Sequence, residues 1–247
     1  TTLDGWVPLL YRPGTRQLSN IWIGQNHISR GFDNLGRVTH IETVPDQTLN
    51  GSPAALRDHE YDAIGRRSKM TDERGHFWLY GYNDRNEVTS GGKYYTDAQS
   101  VVRPLPKTYS GYQYDAIGNR KWLTVNENDR DWYPNELNQI ASRDVQGKVY
   151  ILGESDPAAT LSVTGQADQV YAPPTLVTIE RGVDPEEAWF GATIDLKQKE
   201  LAKNLRVTVQ EQQPNGGTLT EHVGNIFVPS SPEAFTYDAH GNLTQDG

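Results

Sequence analysis

Acidic side chains are the groups in this sequence that could most directly do chemistry, and they are densest in Asn126-Glu127-Asn128-Asp129-Arg130-Asp131. Two carboxylates flanking a glycosidic bond can act as acid and base, so Asp129 and Asp131 are candidate catalytic residues of a hydrolase. The same oxygens resemble a loose calcium loop, but the central glycine and the final glutamate of a calcium-binding hand are absent. The simpler interpretation of this segment is a solvated turn.

Other catalytic and metal-binding patterns are missing from the sequence. There is no cysteine, which excludes thiolate nucleophiles and Cys-ligated zinc. There is no Gly-x-Ser-x-Gly, His-Glu-x-x-His, Walker or Gly-x-Gly-x-x-Gly motif, and the six histidines have no ligand spacing. We therefore expect no metal and no cofactor. A hydrolase with a carboxylate or Ser/His site that motifs do not reveal stays an open alternative.

Tryptophan side chains offer a second kind of chemistry, because indole rings can act as platforms for sugar rings. The candidate platform residues are Trp78, Trp122, Trp132 and Trp189. The same rings could instead hold a thin sheet together, since buried aromatic area is a large source of cohesion. A carbohydrate- or peptide-binding β-module is therefore an alternative function.

The elements that position these residues are built on an internal repeat. Five copies share an aromatic residue followed by Asp or Asn and, three residues later, Gly or Asn. They begin at Phe32, Tyr61, Tyr82, Tyr114 and Tyr237. In the copy that begins at Tyr82, Asn86 replaces the glycine, and Asn is the residue that best tolerates positive φ after Gly.

Each copy predicts a β-hairpin. The aromatic residue ends one strand, the Asp side chain accepts hydrogen bonds from amides ahead of it, and Gly takes a left-handed conformation before the next strand. The predicted turn residues are Asp33, Gly36, Asp62, Gly65, Asp115, Gly118, Asp238 and Gly241. Aromatic residues at matching places should form a ladder across neighbouring hairpins, because one hairpin alone is marginally stable.

These copies resemble the YD repeat of Rhs and teneurin-type proteins. Tyr133-Pro134-Asn135-Glu136-Leu137-Asn138-Gln139-Ile140 is similar to the Asn-x-Leu-Asn-Gln stretch found between YD repeats. The resemblance covers about residues 25–150 and 235–247. It implies a long β-sheet that spirals into a hollow shell, which in several members encloses a toxin or other cargo polypeptide. The family's Asp-Pro-x-Gly self-cleavage motif is absent, since Asp156-Pro157 is followed by two alanines.

A stretch without the repeat separates the copies at Tyr114 and Tyr237. Alternating apolar residues within it predict strands, for example Phe190 to Leu196 and Leu205 to Val209. We therefore predict an all-β fold, a repetitive antiparallel β-hairpin array forming a partial shell, with an inserted small β-sandwich or sheet. The predicted domains are the array over 1–149, the inserted module over 150–232, and the start of a further repeat over 233–247.

Charge and composition limit the partners. With a net charge of −9, the chain would repel a phosphate backbone, so we expect no nucleic acid partner. No apolar run reaches the length of a membrane helix. The chain begins Thr1-Thr2-Leu3-Asp4, without a leader, and we expect both ends to be cut ends. Open sheet edges predict association with the rest of a parent repeat chain or with itself.

The function that we expect is a structural scaffold within a β-shell that encloses or presents a cargo polypeptide. An enclosed polypeptide or a glycan would then be the further partner. We expect a secreted or cell-surface protein of a bacterium. The binding module and the hydrolase are the alternatives, and the recurrence of the repeat Asp residues argues against catalysis, because an active site is usually needed once.

Overall fold

The computed structural model describes residues 8–24, 26–45, 54–167, 176–182, 188–196 and 203–246. The described residues form twenty-one β-strands and one short 3₁₀ helix, Pro214–Gly216. The predicted all-β, antiparallel fold class is confirmed. No helix in this part of the chain is long and apolar enough to cross a membrane.

Fifteen strands belong to one antiparallel sheet. They are β1 (Leu9–Tyr11), β2 (Leu18–Ile23), β3 (Asn26–Phe32), β4 (Val38–Pro45), β5 (Ala55–Tyr61), β6 (Arg67–Asp72), β7 (Phe77–Tyr82), β8 (Val88–Thr96), β9 (Val102–Pro104), β10 (Ser110–Tyr114), β11 (Arg120–Val125), β12 (Asn128–Pro134), β13 (Ile140–Arg143), β20 (Glu233–Tyr237) and β21 (Leu243–Asp246).

The chain divides into two compact units, one of residues 1–81 with 93–96 and one of residues 82–92 with 97–247. In the first unit the strands from β1 to β7 follow one another in sequence order. In the second unit the order is β8-β10-β11-β12-β13-β20-β21. Within each unit, neighbours in sequence are therefore neighbours in the sheet, except that β9 pairs with β8 off this path and β20 follows β13.

Four of the five repeat hairpins show a β-bulge at the aromatic residue, and in the first of them the register shifts between Gly31 and Phe32. The register shifts between Glu60 and Tyr61, between Gln113 and Tyr114, and between Thr236 and Tyr237. A left-handed residue beside a single-residue bulge closes a short loop between twisted strands. The repeat sequence predicts the hairpin and its left-handed residue, and the structure adds the bulge. The bulge also fixes the register, so each aromatic side chain occupies the same place in its hairpin.

Six further strands lie between β13 and β20 in sequence. One three-stranded sheet contains β14 (Lys148–Glu154), β17 (Trp189–Asp195) and β16 (Leu176–Arg181). The other contains β15 (Thr160–Ala167), β18 (Lys203–Gln212) and β19 (Leu219–Val228). Antiparallel pairing of long strands makes each sheet regular, with β18 and β19 matched over all ten residues from Lys203↔Val228 to Gln212↔Leu219.

The two small sheets share one hydrophobic core. Five buried residues form much of this core: Phe190, Ala192 and Ile194 on β17, and Leu205 and Val207 on β18. These are the alternate residues that the apolar pattern predicts to share one face. The predicted boundaries of the inserted module, at 150 and 232, stay a prediction.

The array resumes after these six strands. Strand β20 pairs with β13 through Ser142↔Ala234 and Arg143↔Glu233, and β21 pairs with β20. Within the second unit the inserted strands therefore leave the hairpin order unbroken.

Ile194 offers a test of the shared core, because its side chain is fully buried. We expect Ile194→Ala to lower the free energy of unfolding by about 2–5 kcal/mol, through lost burial and a cavity. Val223→Ala is the matched control, since Val223 is 46% exposed on β19. Urea unfolding followed by circular dichroism measures both, and equal losses would contradict a core at Ile194.

Candidate functional site

The repeat turn is a recurring site among the described residues, and the turn at Asp115 shows its construction. One carboxylate oxygen, Oδ1, accepts hydrogen bonds from the amides of Ile117 at 3.0 Å and Asn119 at 2.8 Å. The Asp115 amide donates to the carbonyl of Asn119 at 2.9 Å, which closes the loop. The same bonds form at Asp33, Asp62 and Asp238. The carboxylate therefore satisfies turn amides that would otherwise need water.

The fourth residue of each turn has a left-handed backbone. The φ angles are +79° at Gly36, +91° at Gly65, +94° at Gly118 and +84° at Gly241, while Asn86 takes +65°. At Gly118 an added Cβ would also lie 3.3 Å from the Glu87 side chain of the neighbouring turn. Both conformation and space favour glycine there.

Three further turns have the same construction, and sequence reasoning did not identify them as turns of this kind. Asn135 accepts from Leu137 and Gln139, with Asn138 at +61° in the glycine position. The sequence places this segment between repeats, whereas the structure shows that it is a repeat turn in its own right. The Asp72 and Asp97 turns follow the same pattern without a preceding tyrosine. The Asp-x-x-Gly spacing from Asp72 to Gly75 was the available signal.

Tyrosine hydroxyls link successive hairpins by one rule. In the first unit, Tyr61 donates to the carbonyl of Val38 at 2.6 Å. In the second, Tyr114 donates to Val88 at 2.9 Å and Tyr237 to Ile140 at 2.9 Å. Each acceptor lies five residues after the Asp or Asn that opens the neighbouring turn. Tyrosine thus joins one hairpin to the next through its polar tip.

Neighbouring turns also touch directly in the second unit. The Arg85 guanidinium donates to the carbonyls of Asp115 and Ala116, both at 2.6 Å. Asn119 donates to the side chain of Asn138 at 3.1 Å. These contacts stack the turns along the sheet edge.

The four candidate platform tryptophans are all half-buried. Trp122 donates to Asp129 at 3.0 Å and to Thr124, and Trp189 donates to the carbonyl of Pro106 at 3.2 Å. Trp132 lies between the guanidinium groups of Arg120 and Arg143, and Trp78 lies on β7 opposite Met70. Their role as a ligand platform stays a prediction.

The candidate acids Asp129 and Asp131 lie on β12, so this segment is the start of a strand and not a solvated turn. Only Asn126 and Glu127 form the turn before it, because Val125 pairs with Asn128. Asp129 accepts from Trp122 and, at 2.7 Å, from Thr124, while Asp131 lies opposite Trp122. Within the described ranges, no three His, Asp or Glu side chains are grouped to hold a metal ion.

A polar cleft of about 250 Å³ lies in the second unit, where inserted strands meet the array. Lys107 bridges it by an ion pair to Glu180 at 2.5 Å, and Lys148 donates to Asn128 at 2.6 Å. Tyr150 donates to the carbonyl of Val125 at 3.2 Å. The sequence offered no signal for this cleft, because its walls come from segments far apart in the chain.

Several turn carboxylates are held in their charged form. The side-chain hydrogen bond from Arg66 lowers the pKa of Asp62, and the backbone hydrogen bond from Val101 does so for Asp97. At Glu73 the pKa is lowered to about 2, mainly by its own backbone amide and further by Arg57, against an opposing effect of burial. Such groups are structural acceptors and are poorly suited to exchange protons near neutral pH.

Comparisons with known proteins add one structural likeness. No protein-family model matches the sequence, and no curated protein matches it. Among solved structures, the chain is similar to a chain in the crystal structure of TcdB2-TccC3 without the hypervariable C-terminal region, with a TM-score of 0.43 and 11% sequence identity. The match covers 94% of this chain and 12% of that one.

The glycine position of the turn can be tested with opposite substitutions. We expect Gly118→Ala to lower the free energy of unfolding by about 1–2 kcal/mol, because alanine is strained at positive φ. Asn86→Gly should change it by less than about 0.5 kcal/mol, since glycine accepts the same conformation. Urea titrations of both variants provide the comparison, and a harmless alanine at 118 would contradict the turn geometry.

The turn carboxylates also predict an acid limit to stability. A folded pKa below the unfolded value contributes stability above the unfolded pKa, and this contribution is lost as pH falls through the folded pKa. For Glu73 the range runs from 4.5 down to about 2. We expect the melting temperature to fall across that range, and to fall less in Glu73→Gln and Asp62→Asn. Identical pH profiles in wild type and both variants would count against these acceptors.

Proposed function

We propose that this chain is a structural scaffold, part of a YD-repeat β-shell that encloses or presents a cargo polypeptide at or outside the bacterial cell surface. The proposal rests on the hydrogen bonds that the repeated Asp and Tyr side chains make. Each Asp closes its own turn, and the tyrosines at 61, 114 and 237 each bond to the neighbouring hairpin. The repeat therefore joins hairpins into a wall.

Recurrence of the same bonds supports a wall more than a reactive centre. A catalytic site places different groups around one substrate, whereas here one arrangement returns at each hairpin with the same donor and acceptor atoms. Asp129, a candidate acid, is already bonded to Trp122 and Thr124 within the sheet. The described contacts thus support cohesion of the sheet.

Continuity across the inserted strands supports the same function. A wall must stay closed where a module branches from it, and here β13 pairs directly with β20. Tyr237 then bonds to Ile140, following the rule that Tyr114 follows with Val88. The insertion adds a module without opening the sheet.

Protection of an unfolded polypeptide tests the proposal. An unfolded reporter with several protease sites would be fused to the C-terminus of the chain, and its cleavage rate compared with the same reporter added as a separate molecule. We expect several-fold slower cleavage of the fused reporter, because a wall excludes the protease from bound chain. Equal rates would overturn the scaffold proposal.

Two variants make this experiment specific. Tyr114→Phe with Tyr237→Phe removes two hairpin-to-hairpin bonds, each worth about 1 kcal/mol, and should reduce protection. Tyr11→Phe is the matched control, since the Tyr11 side chain is 53% exposed on β1, and it should protect like wild type. Equal protection by both variants would show that the linked hairpins are not what shields the reporter.

A further inference from the structure

A ladder of aromatic rings and guanidinium groups crosses five strands of the second unit. Arg120 on β11 lies 4.8 Å from the ring centre of Tyr112 on β10 and 5.1 Å from that of Trp132 on β12. Arg143 on β13 lies 5.3 Å from the Trp132 ring and 5.4 Å from Phe235 on β20. Cations over ring faces are attractive, so the ladder helps to hold these strands together.

Two cations at this ladder lack an anionic partner. Arg143 is paired with Glu233, as Arg66 is with Asp62 and Arg103 with Asp97. In contrast, neither Arg120 nor the adjacent Arg130 makes a hydrogen bond or ion pair with any described residue, and the Nε of each is buried without a partner. The indole nitrogen of Trp132 is also buried and has no hydrogen-bond partner among the described residues. Three donors on the neighbouring strands β11 and β12 thus have no acceptor in the described part of the chain.

The surroundings of Arg130 make this arrangement costly without an added anion. Burial lowers its pKa, the nearby charge of Arg143 lowers it further, and only the Tyr150 hydroxyl opposes them. The one carboxylate paired on the ladder, Glu233, is buried and already bonded to Arg143. A partly buried guanidinium is usually matched by an oxyanion, because desolvation without compensation is unfavourable.

The spacing of the two free cations suits a polypeptide. Arg130 pairs with Leu123 and so lies level with Tyr112, whereas Arg120 pairs with Tyr114 across a bulge. The two arginines are therefore two positions apart on neighbouring strands, which separates their backbones by about 8 Å. In an extended left-handed chain, every third residue returns to the same face after about 9 Å. Two acidic residues at that spacing can meet both guanidinium groups, each of which binds a carboxylate through a planar fork.

We propose that Arg120, Arg130 and Trp132 form a binding site for the acidic side chains of an extended polypeptide. The proposal rests on the proposed function and names the chemistry of the cargo segment that lies against this part of the wall. The net charge of −9 opposes acidic chains at long range, so binding here depends on the local positive charge of Arg120 and Arg130. Binding should weaken with added salt, because it is largely electrostatic.

Peptide binding to the whole chain tests the site. The probe is a short fluorescent peptide with Glu at every third position among Pro and Ser, which favour an extended chain, and its partner has Gln in place of each Glu. We expect the Glu peptide to bind at least about tenfold more tightly than the Gln peptide, with affinity falling as salt rises. Equal binding of the two peptides overturns the proposal, as does equally effective competition by inorganic phosphate at the same concentration.

Variants distinguish a binding role from a structural one. Arg120→Gln and Arg130→Gln should each weaken binding of the Glu peptide by about tenfold, whereas Arg206→Gln, an exposed arginine on β18, should leave it unchanged. Arg130→Met should lose binding without lowering the melting temperature, because it removes an uncompensated buried charge. A large drop in melting temperature with retained peptide binding would assign Arg130 to packing and overturn the proposal.

The outcomes separate this inference from the scaffold proposal. If an uncharged reporter is protected from protease but the Glu peptide does not bind, the acidic site is wrong and the scaffold stands. If the Glu peptide binds and no reporter is protected, the site is retained and the enclosing function is wrong.

Discussion

The hydrogen bonds that one Asp or Asn oxygen accepts from two turn amides are the interaction on which this structure depends. At Asp115 these bonds fix the loop, place the bulge at Tyr114 and set the register of β10 against β11. With the register set, the Tyr114 hydroxyl comes within 2.9 Å of the Val88 carbonyl in the next hairpin. A local turn preference is thereby converted into cohesion between hairpins that would be marginal alone.

This construction explains how the sheet accepts a large insertion. Each hairpin carries its own turn chemistry and contacts mainly its neighbours, as in other repeat proteins. The inserted strands have their own core around Ile194 and Leu205, and they are tied to the array by specific bonds such as Trp189 to Pro106 and Tyr150 to Val125. The array then continues because β20 pairs antiparallel with β13, as the next hairpin would if no strands were inserted.

Much of the fold could be predicted from the sequence because its determinants are local. The Asp-x-x-Gly spacing and the alternating residues of β17 and β18 report the conformation of short segments directly. The turn at Asn135 was harder to predict, since Asn replaces both Asp and Gly there. The cleft at Lys107 and Glu180, and the unpartnered Arg120 and Arg130, depend on contacts between distant segments. No local pattern reports such contacts.

Hydrogen exchange of the β20 and β21 amides in Tyr237→Phe tests the central claim most directly, because this substitution removes the bond between the last described hairpin and Ile140. The account predicts faster exchange in β20 and β21 than in wild type, while amides of β17 and β18 in the inserted core keep their wild-type rates. Unchanged exchange in β20 and β21 would contradict the claim that tyrosine hydroxyls hold successive hairpins together.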